Sequence, residues 1–349
     1  MESFRINNRG IGGDNSCFII AELSANHGGK IEIAIEAIRA AKHAGADAIK
    51  FQTFTADTIT LNSKKKWFKI DHGTVWDGHY LHDLYQEAAL PWEWHKELFE
   101  TATEEGLLCF SSPFDKTAVD FLEELNCPAY KIASFEITDI PLIKYVASIG
   151  KPIIISTGIA DEEDIQLAID TCRAAGNEKI AILKCTSAYP ALPEDANLLI
   201  IPDISESFNV VAGLSDHTLG VEGPIVAVAL GAKIIEKHFI LDKSIGGLDA
   251  HFSLDEKEFK MMVEAVRKAE LMMGKVDYEM TESKKKSREF SRSLFVVEDI
   301  KGGEMLTDKN IRSIRPGFGM HPKFYKDVLG KKASKDIEKG TPLIKELFK

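Results

Sequence analysis

A chain of 349 residues is long enough to bury a large core and to carry one large domain beside a small one. With 44% hydrophobic and 28% charged residues it has an ordinary globular balance, which excludes a disordered chain. A net charge of −11 excludes a general nucleic-acid binder, although net charge does not describe a single cleft and leaves room for a locally basic pocket.

The cysteines Cys17, Cys109, Cys127, Cys172 and Cys185 are odd in number and contain no C-x-x-C pair, so a reducing compartment is expected. No positively charged start followed by an apolar run marks a signal peptide, and no apolar segment approaches the ~20 residues that span a bilayer. The expectation is a soluble, cytoplasmic protein with neither a membrane nor a nucleic acid as partner.

The first apolar run, 17–22, reads as a strand, and helical spacing follows it. Ile31, Ile35 and Ile38 fall at i, i+4 and i+7, leaving Glu32, Glu36, Arg39 and Lys42 on the outer face, and Gly45 provides a stop. Further strands are predicted at 48–52, 107–111, 129–134, 152–156, 180–184, 210–214 and 232–237. Most are apolar at consecutive positions, as parallel strands covered on both faces are. Helices are predicted near 92–105, 115–125, 139–149, 161–175, 221–230 and 256–273.

Eight strand–helix alternations predict an α/β fold, a closed (β/α)8 TIM barrel over residues 1–280. No G-x-G-x-x-G follows the first strand to suggest an open dinucleotide-binding sheet. Residues 54–91 interrupt the pattern as a long insertion rich in Lys, Trp, Tyr and His, of a length that is usually functional or mobile. Residues 281–289, centred on the charged Glu282-Ser283-Lys284-Lys285-Lys286-Ser287-Arg288, read as a linker. It leads to a small module at 290–349, whose short apolar pieces are punctuated by glycines and show little regular structure.

In such barrels the active site lies at the C-terminal ends of the strands. The sequence puts there Glu22, Asn26 and His27, then Lys50 and Gln52, Ser112 and Asp115, and Lys131, Ser134 and Glu136. Ser156 and Thr157 follow, then Lys184, Thr186, Ser187 and Tyr189, then Ser215, Asp216 and His217, and finally Glu236, Lys237 and His238. Any one hydroxyl could simply cap the next helix. Eight polar strand ends on one rim point instead to a strongly polar substrate.

Lys131, set among apolar neighbours, would be costly to bury uncompensated. A phosphate shared with Ser112, Ser134, Ser156 and Ser215 would compensate it, and so would a structural ion pair with Glu136. His217 and His238 follow adjacent strands, so their imidazoles can converge on a divalent Mn, Fe, Co or Zn ion, with Glu22 and Glu236 at hand. Barrel hydrolases also set histidines on neighbouring strands, so a metal-dependent hydrolase stays open at this point.

Several motifs, in order along the barrel, resemble the sialic acid synthase family. They are Ile19-Ile20-Ala21-Glu22-Leu23-Ser24-Ala25-Asn26-His27, Ile49-Lys50-Phe51-Gln52-Thr53, Ser111-Ser112-Pro113-Phe114-Asp115 and Tyr130-Lys131-Ile132-Ala133-Ser134-Phe135-Glu136-Ile137. Ile155-Ser156-Thr157-Gly158, Leu214-Ser215-Asp216-His217-Thr218 and Glu236-Lys237-His238-Phe239 continue the match. In the tail, Ser293-Leu294 and Arg315-Pro316-Gly317-Phe318-Gly319 are similar to that family's antifreeze-like (SAF) domain.

The resemblance implies a transferase that condenses phosphoenolpyruvate with an open-chain amino-sugar aldehyde, giving a nine-carbon 2-keto-3-deoxy acid and phosphate by C–O cleavage. It implies His217 and His238 as metal ligands, usually of manganese, with magnesium or cobalt as alternatives. It makes Lys131, Ser112, Ser134, Ser156, Ser187 and Ser215 the phosphoenolpyruvate pocket, with Lys50 beside them. Glu22, Gln52, Glu136, Tyr189, Glu236 and Asp249 then surround the metal and sugar. Glu22, Glu136, Lys131 and Glu236 form the expected catalytic set, with Glu22 or Glu136 handling the water and Lys131 stabilising phosphate charge. Arg315 matches an arginine that reaches the partner's active site in a domain-swapped homodimer and holds the sugar's N-acyl group.

Two departures bear on the sugar. Where sialic acid synthases commonly continue with Pro-Asp-His, this chain has Leu248-Asp249-Ala250-His251. Ser24-Ala25 and the aromatic insertion, from Thr74-Val75-Trp76 to Pro91-Trp92-Glu93-Trp94, are similar to the branch of the family that makes pseudaminic acid. The sugar of that branch is 2,4-diacetamido-2,4,6-trideoxy-L-altrose, and an aromatic loop suits a 6-deoxy sugar with its apolar methyl. Any one of Trp76, Trp92 and Trp94 would serve equally as a lid or core contact. The rivals are a sialic (N-acetylneuraminate) or legionaminic acid synthase, the barrel hydrolase, which predicts activity without phosphoenolpyruvate, and an ice- or glycan-binding role for the C-terminal module.

Overall fold

Runs of aliphatic residues that bury both faces have to lie inside a covered parallel sheet, and eight of them do so here. In the computed structural model, which describes residues 3–71, 73 and 76–349, an antiparallel hairpin of β1 (Ser3–Ile6) and β2 (Arg9–Gly12) precedes them. Met1, Glu2, His72 and the insertion residues Thr74 and Val75 lie outside the described residues.

The eight strands are β3 (Phe18–Glu22), β4 (Ala48–Thr53), β5 (Leu108–Pro113), β6 (Tyr130–Ile132), β7 (Ile153–Ser156), β8 (Ile180–Cys185), β9 (Val211–Asp216) and β10 (Ile234–His238). They pair in sequence order, and β10 closes on β3 through Ile234↔Phe18 to His238↔Glu22, so the sheet is a closed parallel barrel.

Helices cover it from outside: α1 (Ile31–His43), α4 (His95–Glu104) after the short α2 (Ala56–Ile59) and α3 (Leu81–Ala88), α5 (Lys116–Glu124), α6 (Ile140–Ser148), α7 (Glu162–Ala174), α8 (Ile200–Phe208), α9 (Glu222–Ala229) and α10 (Glu256–Met273). Helix α1 buries Ala34, Ala37, Ile38 and Ala41, and the chain leaves it through Gly45 at φ +89°, a conformation that favours glycine. Asp115, Asp161 and Asp255 accept hydrogen bonds from the first amides of α5, α7 and α10, each cap being worth about 1 kcal/mol.

The barrel expected from the alternation of strands and helices is therefore present. Helix α8 was not expected from the sequence, because Pro202 lies inside it. Proline is tolerated in a first turn, where its missing amide would be unpaired in any case, and Ile201, Ile204 and Phe208 bury one face. The insertion is not structureless, since it folds α2 and α3 into the space above the strand ends.

Residues 275–349 form a second unit by themselves. The charged stretch read as a linker holds a helix there, α11 (Glu282–Arg288), capped by Thr281. Strands β11 (Ser293–Val296) and β12 (Ile311–Ile314) pair antiparallel, and Leu294, Val296, Ile300, Leu306 and Leu343 bury into a small core together with α12 (Tyr325–Val328). No helix among the described residues is long and apolar enough to cross a membrane.

Candidate active site

Strand register decides which rim residues can meet. Side chains alternate across a strand, so Glu22, Lys50, Ser215 and Glu236, matched by the pairings Glu22↔Lys50 and Ser215↔Glu236, share the barrel interior. Asp216 and Lys237 are matched on the other face, where Lys237 Nζ lies 2.5 Å from Asp216 Oδ2 and 2.6 Å from the Thr218 carbonyl. These two strand-end charges satisfy each other and stay out of the site.

Inside, Lys50 Nζ contacts Glu22 Oε2 at 2.5 Å and Glu236 Oε1 at 3.7 Å, and donates to Ser112 Oγ at 3.1 Å. Lys131 Nζ lies 3.6 Å from the same Glu236 oxygen and donates to Ser156 Oγ at 2.6 Å. The carboxylate that compensates Lys131 is thus Glu236, not the Glu136 weighed from the sequence. Ser215 also donates to Glu236, at 3.2 Å, and Gln52 donates to Glu22 at 2.9 Å.

Two lysines and two carboxylates are balanced only while both acids are ionised. Burial pushes the Glu22 carboxyl up to about 7 in spite of Lys50. Burial acts on Glu236 too, but Lys131 and Lys50 hold its carboxyl below the usual range. A proton on Glu22 leaves the layer with one uncompensated positive charge, which suits an anionic substrate.

His217 and His238 meet as expected of adjacent strands, ring centroids 5.3 Å apart and edge to face. His217 Nδ1 lies 2.8 Å from the Thr186 carbonyl. A carbonyl can only accept, so Nδ1 carries a proton and Nε2 is the nitrogen left to face a metal; burial works against the charged ring, but Cys185 and the Thr186 carbonyl hold this imidazole above its usual range. Among the described residues His238 Nδ1 is buried with no hydrogen-bond partner, 3.7 Å from Asp249 Oδ2, and burial drives this imidazole well below its usual range, so this ring is neutral. Among the described residues no three acidic, His or Cys side chains gather into a ready-made cage. The converging pair His217 and His238 are the residues that could hold a divalent ion, with further positions left to water or substrate.

Tyr189 lies over these rings, 4.4 Å from His217 and 6.4 Å from His238. Beside it lies a cavity of about 520 Å³, lined by Gln52, Ser134, Glu136, His238 and Asp249 together with insertion residues such as Ile59, Ile70, Trp76 and Leu84. Burial pushes the Glu136 carboxyl up to about 7, and its Oε2 has no hydrogen-bond partner among the described residues. Trp92 instead stacks on Phe121 and donates to the Phe54 carbonyl, while Trp94 packs on the edge of His27, so these two tryptophans serve packing. A larger cavity, about 740 Å³, lies at the opposite strand ends near Arg9 and Glu104, away from the polar layer.

The sequence left two contributors unassigned. Gly158 donates its amide to Ser134 Oγ at 3.2 Å, and a Cβ there would fall 2.0 Å from Ser187 Oγ and 2.7 Å from Ser134 Oγ, so only glycine lets these hydroxyls close up. Cys185 places its sulfur 3.8 Å from His217 Nδ1. Arg315 is exposed just after β12 in the second unit.

Buried lysines held between carboxylates, beside two converging imidazoles, define a class: barrel proteins whose strand ends are built to hold a polar, anionic ligand. The chain belongs to the NeuB family, whose model matches residues 37–278, and residues 291–349 match the SAF domain. It is 52% identical to the pseudaminic acid synthase of Campylobacter jejuni, over 96% of this chain and 98% of that one. It is also 52% identical to the pseudaminic acid synthase of Helicobacter pylori, over 93% and 96%. Among solved structures, the N-acetylneuraminic acid (sialic acid) synthetase of Leptospira borgpetersenii, in complex with citrate, superposes with a TM-score of 0.74 at 31% identity, covering 82% of this chain and 95% of that one.

Proposed function

We propose that this protein condenses phosphoenolpyruvate with open-chain 2,4-diacetamido-2,4,6-trideoxy-L-altrose, giving pseudaminic acid and phosphate. The observation that carries this is the adjacency of three features: the buried Lys50–Glu22–Glu236–Lys131 layer, the paired imidazoles, and a cavity that is polar on one wall and apolar on the other.

In this reading Lys50 and Lys131, with Ser112, Ser134, Ser156, Ser187 and Ser215, hold the carboxylate and phosphate of phosphoenolpyruvate, displacing part of their contact with Glu22 and Glu236. A divalent metal on His217 and His238, manganese in the preferred case, would supply Lewis-acid polarisation of the sugar aldehyde. C3 of phosphoenolpyruvate forms the new bond to the aldehyde carbon, water adds at C2, and the C2–O bond breaks to release phosphate. Glu136 or Glu22 takes the water's proton. Both carboxyls sit near 7, where a base can accept a proton and return it. Asp249, Gln52 and Tyr189 orient the sugar, and Arg315 of a partner subunit holds its N-acyl group in a domain-swapped homodimer.

Mass spectrometry of the product formed from phosphoenolpyruvate and each diacetamido sugar tests the assignment. Phosphoenolpyruvate labelled in its bridging oxygen is expected to deliver the label to phosphate. Turnover with N-acetylmannosamine and none with the altrose-configured sugar would sink it, as would sugar turnover without phosphoenolpyruvate.

A further inference from the structure

The sugar cavity has two unlike walls, and they come from different parts of the chain. Strand ends and the loops that follow them supply Gln52, Glu136, His238 and Asp249, all able to bond hydroxyl or amide groups. The insertion supplies Ile59, Ile70 and Leu84, which offer only dispersion contact, together with the indole of Trp76. The root of this wall is fixed by Phe54, whose ring lies 5.9 Å from Tyr85 and 5.1 Å from Phe114. Trp76 stands one ring beyond the histidines, 5.5 Å from Tyr189, which itself lies 4.4 Å from His217. Of the insertion's tryptophans, Trp92 is taken up in packing on Phe121, whereas Trp76 faces the cavity.

An open-chain sugar with its aldehyde carbon at His217 and His238 has its terminal carbon as the atom furthest along the chain. His238 itself lines the polar wall, so in that pose the substituents nearest the aldehyde meet this wall and the terminal carbon is left to the insertion. A methyl group there gains contact with the aliphatic side chains, whereas a hydroxyl is stripped of water and meets few partners. Resting on the reaction proposed above, we propose that Trp76, closing the aliphatic wall of Ile59, Ile70 and Leu84 against Tyr189, is a specificity-determining residue that selects sugars with a methyl rather than a hydroxymethyl end. An apolar pocket discriminates against an added hydroxyl only modestly, so the selection it supplies is about 10- to 100-fold.

The test is steady-state kinetics of the full-length protein with phosphoenolpyruvate and two sugars, the diacetamido trideoxy altrose and its counterpart bearing a 6-hydroxyl. Wild type is expected to favour the deoxy sugar by about 10- to 100-fold in kcat/KM. Trp76→Ala is expected to bring the ratio to within about 3-fold by raising KM for the deoxy sugar, with KM for phosphoenolpyruvate unchanged, and Trp76→Phe to keep most of the preference. Leu84→Gln, which puts hydrogen-bonding groups into the wall, is expected to shift the ratio towards the hydroxylated sugar. A Trp76→Ala protein that loses both sugars equally, or whose phosphoenolpyruvate KM rises in step, overturns the inference and assigns Trp76 to the architecture of the loop. A wild type that turns over neither sugar overturns the reaction assignment and the inference together, so the two failures are told apart by the wild-type measurement.

Discussion

The wall built by the insertion lines a cavity that meets the buried layer at the strand ends through Gln52, yet wall and layer are made by opposite means. In the layer every functional side chain projects from a strand or the first residues after it, and register alone brings Glu22 beside Lys50 and Ser215 beside Glu236. In the wall, Ile59, Ile70, Trp76 and Leu84 are spread over 26 residues of short helices and turns, and only tertiary packing gathers them. Groups that handle charge sit on the rigid element, where small displacements are costly, and groups that select shape sit on the adaptable one. If that division is real, substitutions in the layer should damage the chemical step with every sugar, and those in the insertion wall should damage the choice of sugar.

The largest effect is expected at the histidines. His217→Ala or His238→Ala should lower kcat/KM by about 10³-fold or more, with the folded state retained, because in the proposed reading each removes a ligand of the metal. Chelation followed by metal replenishment should restore wild type and neither mutant. Retained activity in a replenished mutant refutes the ligand assignment. Next comes Lys131→Met, expected to cost about 10²- to 10³-fold through loss of the charge that meets phosphate. Its loss should be the same for every sugar tested, and a sugar-dependent loss would break the division between layer and wall.

Glu136→Gln is expected to reduce turnover by about 10²-fold, the ordinary contribution of a positioned base. In wild type, kcat/KM should fall as pH drops below about 7, since a protonated carboxyl cannot accept the water's proton. If the acid limb disappears in Glu136→Gln, Glu136 is the base; if it persists, Glu22 is. The same shift has a stability consequence. Glu136 moves from 4.5 to about 7 on folding, so the folded state binds its proton more tightly. The stability that this contributes is complete below about pH 4.5 and is lost as pH rises through about 7. Glutamine mimics the protonated form at all pH values, so at pH 8 the variant should be more stable than wild type by on the order of 1–3 kcal/mol, read from urea unfolding at both ends of that range.

The sequence made the layer legible for the same reason that makes it rigid. A buried parallel strand is a run of β-branched and aliphatic residues, so a Lys or Glu at its end stands out, and Lys50, Lys131, His217 and His238 could be picked without a structure. Partners were harder. Glu236 and Glu136 follow strands alike, and only the pairing register and the chain path show that Lys131 meets the former. Helix α8 was hidden by Pro202, and the aliphatic half of the sugar wall by the lack of any period linking Ile59 to Leu84. Among the tryptophans, composition drew notice to all of the insertion's aromatics, but packing on Phe121 or His27 separates Trp92 and Trp94 from Trp76, and packing is not written in local sequence.

Arg315 gives the smallest expected effect and the sharpest use of the comparison, because it belongs to neither region. It is exposed in its own unit, where nothing among its neighbours in β12 requires a guanidinium. If a partner subunit delivers it to the N-acyl group of the sugar, Arg315→Ala should raise the sugar KM by about 10-fold and leave the phosphoenolpyruvate KM and the acid limb of the pH profile as they were. Mixing Arg315→Ala with a histidine-dead variant then separates delivery in trans from a role within one chain. Delivery in trans lets a mixed dimer assemble one site with both defects and one with neither, so activity at limiting sugar rises above that of either parent. A role within one chain leaves the mixture at the average of its parents, and an unchanged sugar KM in Arg315→Ala removes the arginine from sugar recognition altogether.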